Sequence, residues 1–258
     1  MKLTKPVPGG PCWVELSTPD VGAAQAFYAG LFGWRSETDP RPEAGGYTTA
    51  RVGEDAVAAF SPLYRPEQRS AWTVSFATDD ADASADAVRG AGGTVLMGPM
   101  DVFDEGRFAV AADPSGAVFT LWQARAFQGA GRFNDPGALG WTELRTPDPQ
   151  GALAFYPAVF GWTADVSERF THWGVDGADF GGMKAQDEGE QAGTPPHWLP
   201  YFTVPDTGTT AAMALTSGGE PLSPPTHVPG GPWVATLRDA QGARFGIITP
   251  SRFGIITP

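Results

Sequence analysis

The sequence predicts an α+β protein made of two domains in tandem, each containing two strand-helix-strand-strand-strand (βαβββ) units. The prediction rests first on an internal repeat, in which residues 139–162 match residues 11–34 at 13 of 24 positions. It rests also on hydrophobic periodicity, which changes from that of a strand to that of a helix within each copy. The length of 258 residues, of which 41% are hydrophobic, allows a core in each half.

Each copy of the repeat begins with a strand followed by a helix. Trp13, Glu15 and Ser17 alternate with apolar residues, which is typical of a strand with two different faces. Asp20 follows a Thr-Pro pair and is suited to cap a helix. The apolar stripe of this helix recurs at three- and four-residue spacing until Gly33 ends it. The second copy repeats the same order.

Short strands and a second helix complete each half. Residues 47–52 and 56–60 are predicted strands around a Gly-Glu-Asp turn, and residues 61–70, with two prolines, are predicted to be a connection within the first half. A second strand and helix follow, with Asp80 as the helix cap, and three strands then end the half. This second unit recurs 126 positions later.

The repeat also predicts the domain boundaries. We expect a first domain at 1–125, a linker at 126–137 that is rich in Gly and polar residues, and a second domain at 138–250. Residues 251–258 duplicate the sequence RFGIITP that ends the second domain. This duplicated tail is expected to lie outside the fold.

Composition excludes several function classes. The formal net charge is −12 and no Lys/Arg cluster occurs, so neither nucleic acid nor an anionic membrane is an expected partner. The single cysteine, Cys12, excludes an internal disulfide, and we expect it to be a small apolar strand residue rather than a nucleophile. The sequence has neither a signal peptide nor a membrane-spanning run, so the protein is expected to be soluble and cytoplasmic.

The order of strand, Thr-Pro-Asp, helix with Phe-Tyr, and Phe-Gly-Trp resembles the glyoxalase/bleomycin-resistance/dioxygenase group, the vicinal oxygen chelate superfamily. The Asp-Pro-Ser-Gly turn at 113–116 and the Ala-Val-Phe-Thr-Leu that follows it are similar to that family's closing hairpin. The resemblance covers nearly all of 11–250 and looks closest to tandem two-domain actinobacterial members, some of them from antibiotic gene clusters. It implies that each domain curls a mixed sheet of about eight strands into a cup.

The resemblance also implies where metal ligands would lie, because the family's enzymes take them from the first and last strands of each unit. In the first domain these positions fall on Trp13, Phe60, Thr73 and Thr120. In the second domain they fall on Trp141, Met183, Leu199 and Gly246. None of the eight is a His, Asp, Glu or Gln, so we expect no metal site of the family's type and no other cofactor.

In place of metal ligands, aromatic and small polar side chains are predicted to line the cups. Several of the nine tryptophans fall at cup-facing positions. Such a lining suits a flat, mostly apolar molecule. An alternative is that Trp13 and Trp141 plug cups that have lost their ligand. Besides the eight family positions, the predicted ligand-binding residues are Ser75, Phe103, Trp122 and Tyr201.

Glu15 and Glu143 are the candidate catalytic residues. Each lies two residues after the cup tryptophan on the same strand face, where burial would raise the carboxyl pKa into a range useful for acid–base work. Two alternatives remain open: each Glu anchors an amine or hydroxyl of a ligand, or it is structural and pairs with an arginine such as Arg145. The acidic run at 101–105 is a candidate rim of the first cup, which would favour a cationic ligand.

Three functions are compatible with these features. The first is a metal-free binding protein that holds a planar aromatic or hydrophobic compound, an antibiotic or biosynthetic intermediate, for sequestration or self-resistance. The second is a metal-independent natural-product tailoring enzyme, of isomerase, cyclase or hydroxylase type, with Glu15 or Glu143 as general base. The third is an interaction protein with closed cups. The expected partners are a hydrophobic aromatic small molecule, cationic if the acidic run borders the cup, and a biosynthetic enzyme.

Overall fold

Both halves of the chain repeat one order of elements, and the predicted fold class is confirmed. The computed structural model describes residues 5–168, 170–187, 190 and 193–250. The duplicated tail at 251–258 therefore lies outside the described residues. In the described part of the chain, no helix has the length and apolar character needed to cross a membrane.

The first half contains two βαβββ units. The first unit comprises β1 (Pro11–Thr18), α1 (Val21–Phe32), β2 (Arg35–Thr38), β3 (Thr48–Val52) and β4 (Asp55–Pro62), with a 3-10 turn at Pro42–Ala44. The second unit comprises β5 (Ala71–Ala77), α2 (Ala81–Gly90), β6 (Thr94–Val102), β7 (Gly106–Ala112) and β8 (Val118–Ala124). The sequence does not predict strand β2, because all four of its residues are exposed and it has no apolar alternation.

The second half repeats this order. Its first unit comprises β9 (Leu139–Thr146), α3 (Pro149–Phe160), β10 (Thr163–Val166), β11 (Thr171–Val175) and β12 (Ala178–Ala185). Its second unit comprises β13 (His197–Thr203), α4 (Thr207–Thr216), β14 (Glu220–Pro221), β15 (Thr226–His227), β16 (Trp233–Arg238) and β17 (Arg244–Ile248). Here two short strands, β14 and β15, replace the long β6.

The predicted helix caps are confirmed. The Asp20 side chain accepts a hydrogen bond from the backbone N–H of Ala23, and Gly33 ends α1 in the left-handed region at φ 68°. Asp148 and Gly161 end α3 in the same way. The chain therefore turns back onto the sheet at equivalent places in both halves.

Each half forms a curved mixed sheet around a central antiparallel pair of strands. β1 pairs with β5, and each of them also pairs in parallel with the last strand of its own unit, β4 or β8. β9 and β13 form the corresponding pair, flanked by β12 and β17. We name the concave face of β1–β8 the first cup and that of β9–β17 the second cup. The helices lie on the convex faces.

One aromatic core is shared by the two convex faces. Phe202 of β13 is fully buried among Phe32, Trp34 and Trp72 of the first half, with ring centroids 5.1–5.3 Å apart. Each half therefore completes the core of the other.

The reciprocal contact is made by Phe76 of β5, which lies 126 positions before Phe202. Phe76 is fully buried among Phe160, Trp162 and Trp198 of the second half, at centroid distances of 4.9–5.4 Å. The two insertions are thus related by the internal repeat, and they hold the halves together from both sides.

Two equivalent hydrogen-bond chains also cross between the halves. Trp72 Nε1 donates to the Tyr28 hydroxyl at 2.9 Å, and that hydroxyl donates to Asp239 at 3.0 Å. Equivalent bonds of 2.9 and 3.0 Å join Trp198, Tyr156 and Asp113. Burial, together with the nearby aspartate, raises the pKa of both tyrosines well above the usual range, so both stay neutral donors.

Candidate functional site

Strand alternation divides β1 between the two faces of the sheet. Val14 and Leu16 are fully buried on the convex side, whereas Trp13, Glu15 and Ser17 face the first cup. Residues paired across strands share a face. The register therefore places these predicted residues in the first cup: Thr73, Ser75, Thr120 and Trp122. It places these in the second cup: Trp141, Glu143, Leu199, Tyr201 and Gly246.

Two predicted lining residues face the other way. Phe60 pairs with Leu16, and Met183 pairs with the equivalent leucine of β9, so both point into the convex core. The prediction that Phe60 and Met183 line the cups was therefore wrong. Because side chains alternate along a strand, an error of one position exchanges the faces. Ser61 and Lys184 occupy the cup-facing positions instead.

The wall of the first cup formed by β6, β7 and β8 is apolar. Met97 pairs with Val110, and Met100 pairs with Phe108. Met97, Met100 and Val118 are 38%, 45% and 38% exposed. These three side chains form an exposed apolar cluster on the cup face.

Three aromatic rings meet at one end of the first cup. Phe127, just after β8, packs edge-on against Trp13 at 4.8 Å and against Trp122 at 5.9 Å. The indole N–H of Trp122 donates to the Phe127 carbonyl, and that of Trp13 donates to the Tyr47 hydroxyl. The sequence did not indicate Phe127 because it lies in the predicted linker, where strand alternation gives no information.

Glu15 lies partly exposed on the floor of the first cup, and its hydrogen-bond partners are neutral. One carboxylate oxygen, Oε1, accepts from the Ser61 hydroxyl at 2.7 Å and from the Tyr64 hydroxyl at 2.9 Å. The Tyr47 hydroxyl also lies close to the carboxylate. Burial raises the pKa of Glu15, and the three hydroxyl groups oppose the rise only in part. Among the described residues, no cationic side chain forms an ion pair with Glu15.

Glu143, the equivalent residue of the second cup, has a different environment. Arg145 Nη1 lies 3.0 Å from Glu143 Oε1, and Arg145 also pairs with Glu190. Burial raises the pKa of Glu143, and the Arg145 charge opposes that rise. Of the alternatives that the sequence leaves open for Glu143, the structure thus shows the ion pair with Arg145.

The floor of the second cup is filled by its own side chains. The Tyr201 ring lies directly over Gly246, where a Cβ would collide with it. Trp141, Leu199 and Tyr201 pack together and are at most 8% exposed. Thr73 and Thr120, at the positions of Leu199 and Gly246, are partly exposed in the first cup. The floor of the first cup is therefore less filled at Thr73 and Thr120, although Trp13 and Ser75 beside them are as buried as Trp141 and Tyr201.

Phe103 lies at the rim of the first cup, in the turn between β6 and β7. The Arg41 guanidinium stacks over this ring at 4.1 Å and is held by Asp39. The contact joins the loop after β2 to the acidic run at 101–105. The acidic run therefore borders the first cup.

Side chains at the family's metal-ligand positions do not fit a divalent metal. In the first cup they supply an indole and two hydroxyls, from Trp13, Thr73 and Thr120, and in the second an indole, a leucine and a glycine. Neither set resembles the imidazole and carboxylate donors that such ions need. No group of three or more His, Cys, Asp or Glu side chains within the described ranges could hold a metal ion.

Cys12 does not supply a nucleophile to either cup. It is 1% exposed in β1, and its thiol donates to the Ser75 carbonyl at 3.4 Å. Burial raises the pKa of the thiol far above neutrality, so the reactive thiolate does not form under ordinary conditions.

Replacing Glu15 by glutamine is expected to stabilise the protein at neutral pH, by up to about 1 kcal/mol. Because the folded-state pKa is raised, the folded carboxyl holds its proton more tightly than the unfolded one. The free energy of unfolding therefore falls as pH rises from the unfolded pKa through the folded one. Melting temperatures at pH 5 and pH 8 should show the gain mainly at pH 8. Replacement of the exposed Glu54 by glutamine is the control, and a loss of stability in Glu15→Gln at pH 8 would contradict the argument.

Comparison with known proteins agrees with this architecture. Residues 13–122 match the family described as Glyoxalase-like domain. Residues 138–247 match the Glyoxalase/Bleomycin resistance protein/Dioxygenase superfamily. The two matches cover the two halves of the repeat in turn.

Relatives match almost the full length of the chain. The putative glyoxylase CFP32 of Mycobacterium tuberculosis (strain CDC 1551 / Oshkosh) is 40% identical over 254 residues, covering 94% of this chain and 95% of the relative. The anthracycline biosynthesis protein DnrV of Streptomyces peucetius is 39% identical over 264 residues, covering 95% of both chains.

Solved structures share the fold at low sequence identity. The Mn(II)-bound glyoxalase from Novosphingobium aromaticivorans has a TM-score of 0.68 at 16% identity, with 97% of this chain and 85% of that chain covered. The 2,3-dioxygenase LapB from Pseudomonas sp. KL28 has a TM-score of 0.65 at 12% identity, with coverage of 96% and 93%. With two tandem domains of this fold, the chain belongs to the Glyoxalase/Bleomycin resistance protein/Dioxygenase superfamily.

Proposed function

We propose that the protein binds a planar, largely hydrophobic small molecule in the first cup, without a metal ion. The observation that carries the proposal is the exposed apolar wall, with Met97 and Met100, on a concave face whose floor is partly exposed at Thr73 and Thr120. A relative of 39% identity is named an anthracycline biosynthesis protein, which supports a polycyclic aromatic compound as the ligand class. Holding such a compound would sequester an antibiotic or a biosynthetic intermediate.

Two parts of the first cup, the methionine wall and a cluster of aromatic rings, suit the apolar faces of such a molecule. The flexible thioethers of Met97 and Met100 adapt to a flat ring face, and sulfur–aromatic contacts are favourable. The edge-on rings of Trp13, Trp122 and Phe127 offer a second aromatic contact at one end. Burial of the ligand's apolar surface against this wall would supply most of the binding free energy.

A second candidate function is a metal-independent tailoring enzyme, and Glu15 is the observation that favours it. A carboxyl with a raised pKa on the floor of an open cup is suited to take a proton from a bound substrate. Glu143 is less suited to that role because Arg145 neutralises it. In this alternative, the bound compound changes with time and the Glu15→Gln variant stops the change.

Titration with a panel of planar aromatic compounds, anthracyclines among them, tests the proposal by tryptophan fluorescence, because Trp13 and Trp122 lie in the first cup. We expect saturable quenching in the micromolar range, equivalent to about −8 kcal/mol. Mass spectrometry of each sample separates the two functions: an unchanged compound supports binding alone, whereas a new mass supports the enzyme. Absence of saturable quenching across the panel would overturn the proposal.

A matched variant locates the binding in the first cup. Val118 occupies the position that Arg244 holds in the second cup, and it is exposed, so Val118→Arg should fold normally. A guanidinium in the apolar wall should weaken binding at least about tenfold, because the ligand would have to displace its water. Equal affinity in Val118→Arg would place the ligand elsewhere.

A further inference from the structure

The carboxylate of the first cup is surrounded by hydroxyl groups alone. Ser17, two residues along β1, and Ser61, opposite it on β4, are the cup-facing neighbours of Glu15. The remaining hydrogen-bond donors are the Tyr47 and Tyr64 hydroxyls. Burial raises the pKa of Tyr47, and partial burial together with the nearby Glu15 carboxylate raises the pKa of the largely exposed Tyr64, so neither phenol adds charge at neutral pH. The hydrogen bonds from Ser61 and Tyr64 orient the carboxylate but leave its negative charge without a counter-ion among the described residues.

The second cup has cations at the two equivalent positions. Arg145 replaces the first serine, and Lys184, opposite Arg145 on β12, replaces the second. Arg145 forms ion pairs with both Glu143 and Glu190. The equivalent carboxylate is therefore neutralised from within the protein, and it needs no charge from a ligand.

An ionised carboxylate on a partly buried floor is costly unless it takes up a proton or a partner supplies the opposite charge. The partner has to come from the open side of the cup. The near edge of the apolar wall is Val118 of β8, two strands from Glu15, which is about 10 Å at the usual spacing of strands. Met97 and Met100 of β6 lie two strands further on. One molecule with a flat apolar body and a charged substituent can therefore reach both features.

The negative charge of the acidic run at 101–105 also favours a cationic ligand. Asp104 and Glu105 lie in the run that borders the first cup, and the chain as a whole carries a net charge of −12. A negative rim raises the local concentration of cationic ligands and speeds their association. Arg41 is bound by Asp39 and stacks on the Phe103 ring, but its charge also acts on Asp104 and Glu105. Asp101, in the same run, pairs with Arg107 and Arg125.

We propose that the first cup selects planar ligands that carry a protonated amine, and that Glu15 is the counter-ion that pairs with this amine. The inference rests on the proposed function of the first cup and adds its specificity-determining residue. The second cup, with its carboxylate neutralised and its floor filled, does not take part in this selection.

A matched pair of probes tests the charge directly: an anthracycline glycoside with a free amino sugar, and its N-acetyl derivative, which keeps the rings but loses the charge. Calorimetric titration of both probes gives their affinity ratio for each variant. We expect the wild type to bind the free amine about 10- to 100-fold more tightly than the acetylated probe, as expected for a partly desolvated charge pair.

Glu15→Gln should reduce this ratio to about 1 by weakening the binding of the free amine alone. The unchanged affinity for the acetylated probe then proves that the variant cup is intact. Glu54→Gln removes the same charge from the exposed β3–β4 turn and should keep the wild-type ratio. It controls for a change in long-range attraction.

Three other outcomes would contradict the proposed role of Glu15. Equal binding of both probes by the wild type would overturn this inference and leave the proposed function standing. An unchanged affinity ratio of the two probes in Glu15→Gln would also overturn the inference, because another group would then recognise the amine. Failure of both probes to bind would overturn the inference, and it would overturn the proposed function as well if no other compound of the planar aromatic panel bound.

Discussion

Replacing Phe202 by alanine is expected to lower the free energy of unfolding by about 3–5 kcal/mol. Phe202 belongs to the second half, yet its ring is fully buried against Phe32, Trp34 and Trp72 of the first half. Truncation would leave a cavity at the junction of the two halves, where rigid aromatic neighbours cannot collapse into the space. The loss is a large part of the stability of an ordinary domain.

Chemical denaturation followed by circular dichroism measures this loss. Phe76→Ala should give a similar value, because Phe76 makes the reciprocal insertion. Phe103→Ala is the control: the Phe103 ring is 43% exposed and contacts Arg41, so the expected loss is at most about 1 kcal/mol. Equal effects of Phe202→Ala and Phe103→Ala would mean that the halves do not share a core.

Closing the first cup with the floor of the second is expected to weaken ligand binding at least about 100-fold, or about 2.7 kcal/mol. The change is the double substitution Ser75→Tyr with Thr120→Gly. It copies the pair in which the Tyr201 ring lies over Gly246. A tyrosine ring at this place would occupy the open floor between the apolar wall and Glu15.

The reverse double substitution, Tyr201→Ser with Gly246→Thr, serves as the matched control. It opens the second cup and leaves the first untouched, so affinity for the anthracycline probe should not fall. Thermal melting verifies that both variants fold, since each pair of residues already exists in one half of the chain. An unchanged affinity after closure of the first cup would refute its assignment as the binding site.

Local sequence pattern predicted much of this architecture and part of the candidate site. Because side chains alternate along strands, the sequence alone assigns Trp13 and Glu15 to the cup face and Val14 to the core. Asp20 and Gly33 mark the helix ends because their roles depend on the nearest residues only. Such features depend on short-range chemistry, which a single sequence displays directly.

Features that depend on contacts between distant segments were not predicted. Phe60 and Met183 were assigned to the wrong face because the parallel register of β4 and β12 cannot be read from alternation within one strand. The position of Phe127 depends on the path of a linker, and the pairing of Arg145 with Glu190 depends on where a distant loop returns. The difference between an open and a closed cup follows from such contacts.

The reciprocal aromatic insertions and the paired tyrosine–aspartate bonds have a consequence for how the two halves can change. Each contact occurs twice with the roles of the halves exchanged, which is the form of an isologous interface between identical subunits. The chain is thus organised like a homodimer whose subunits have been joined end to end. Any substitution at this seam must suit both halves at once. The cup-facing side chains lie on the opposite face of the strands from the seam. One cup can therefore hold a carboxylate that has no ion pair among the described residues while its twin holds an ion pair.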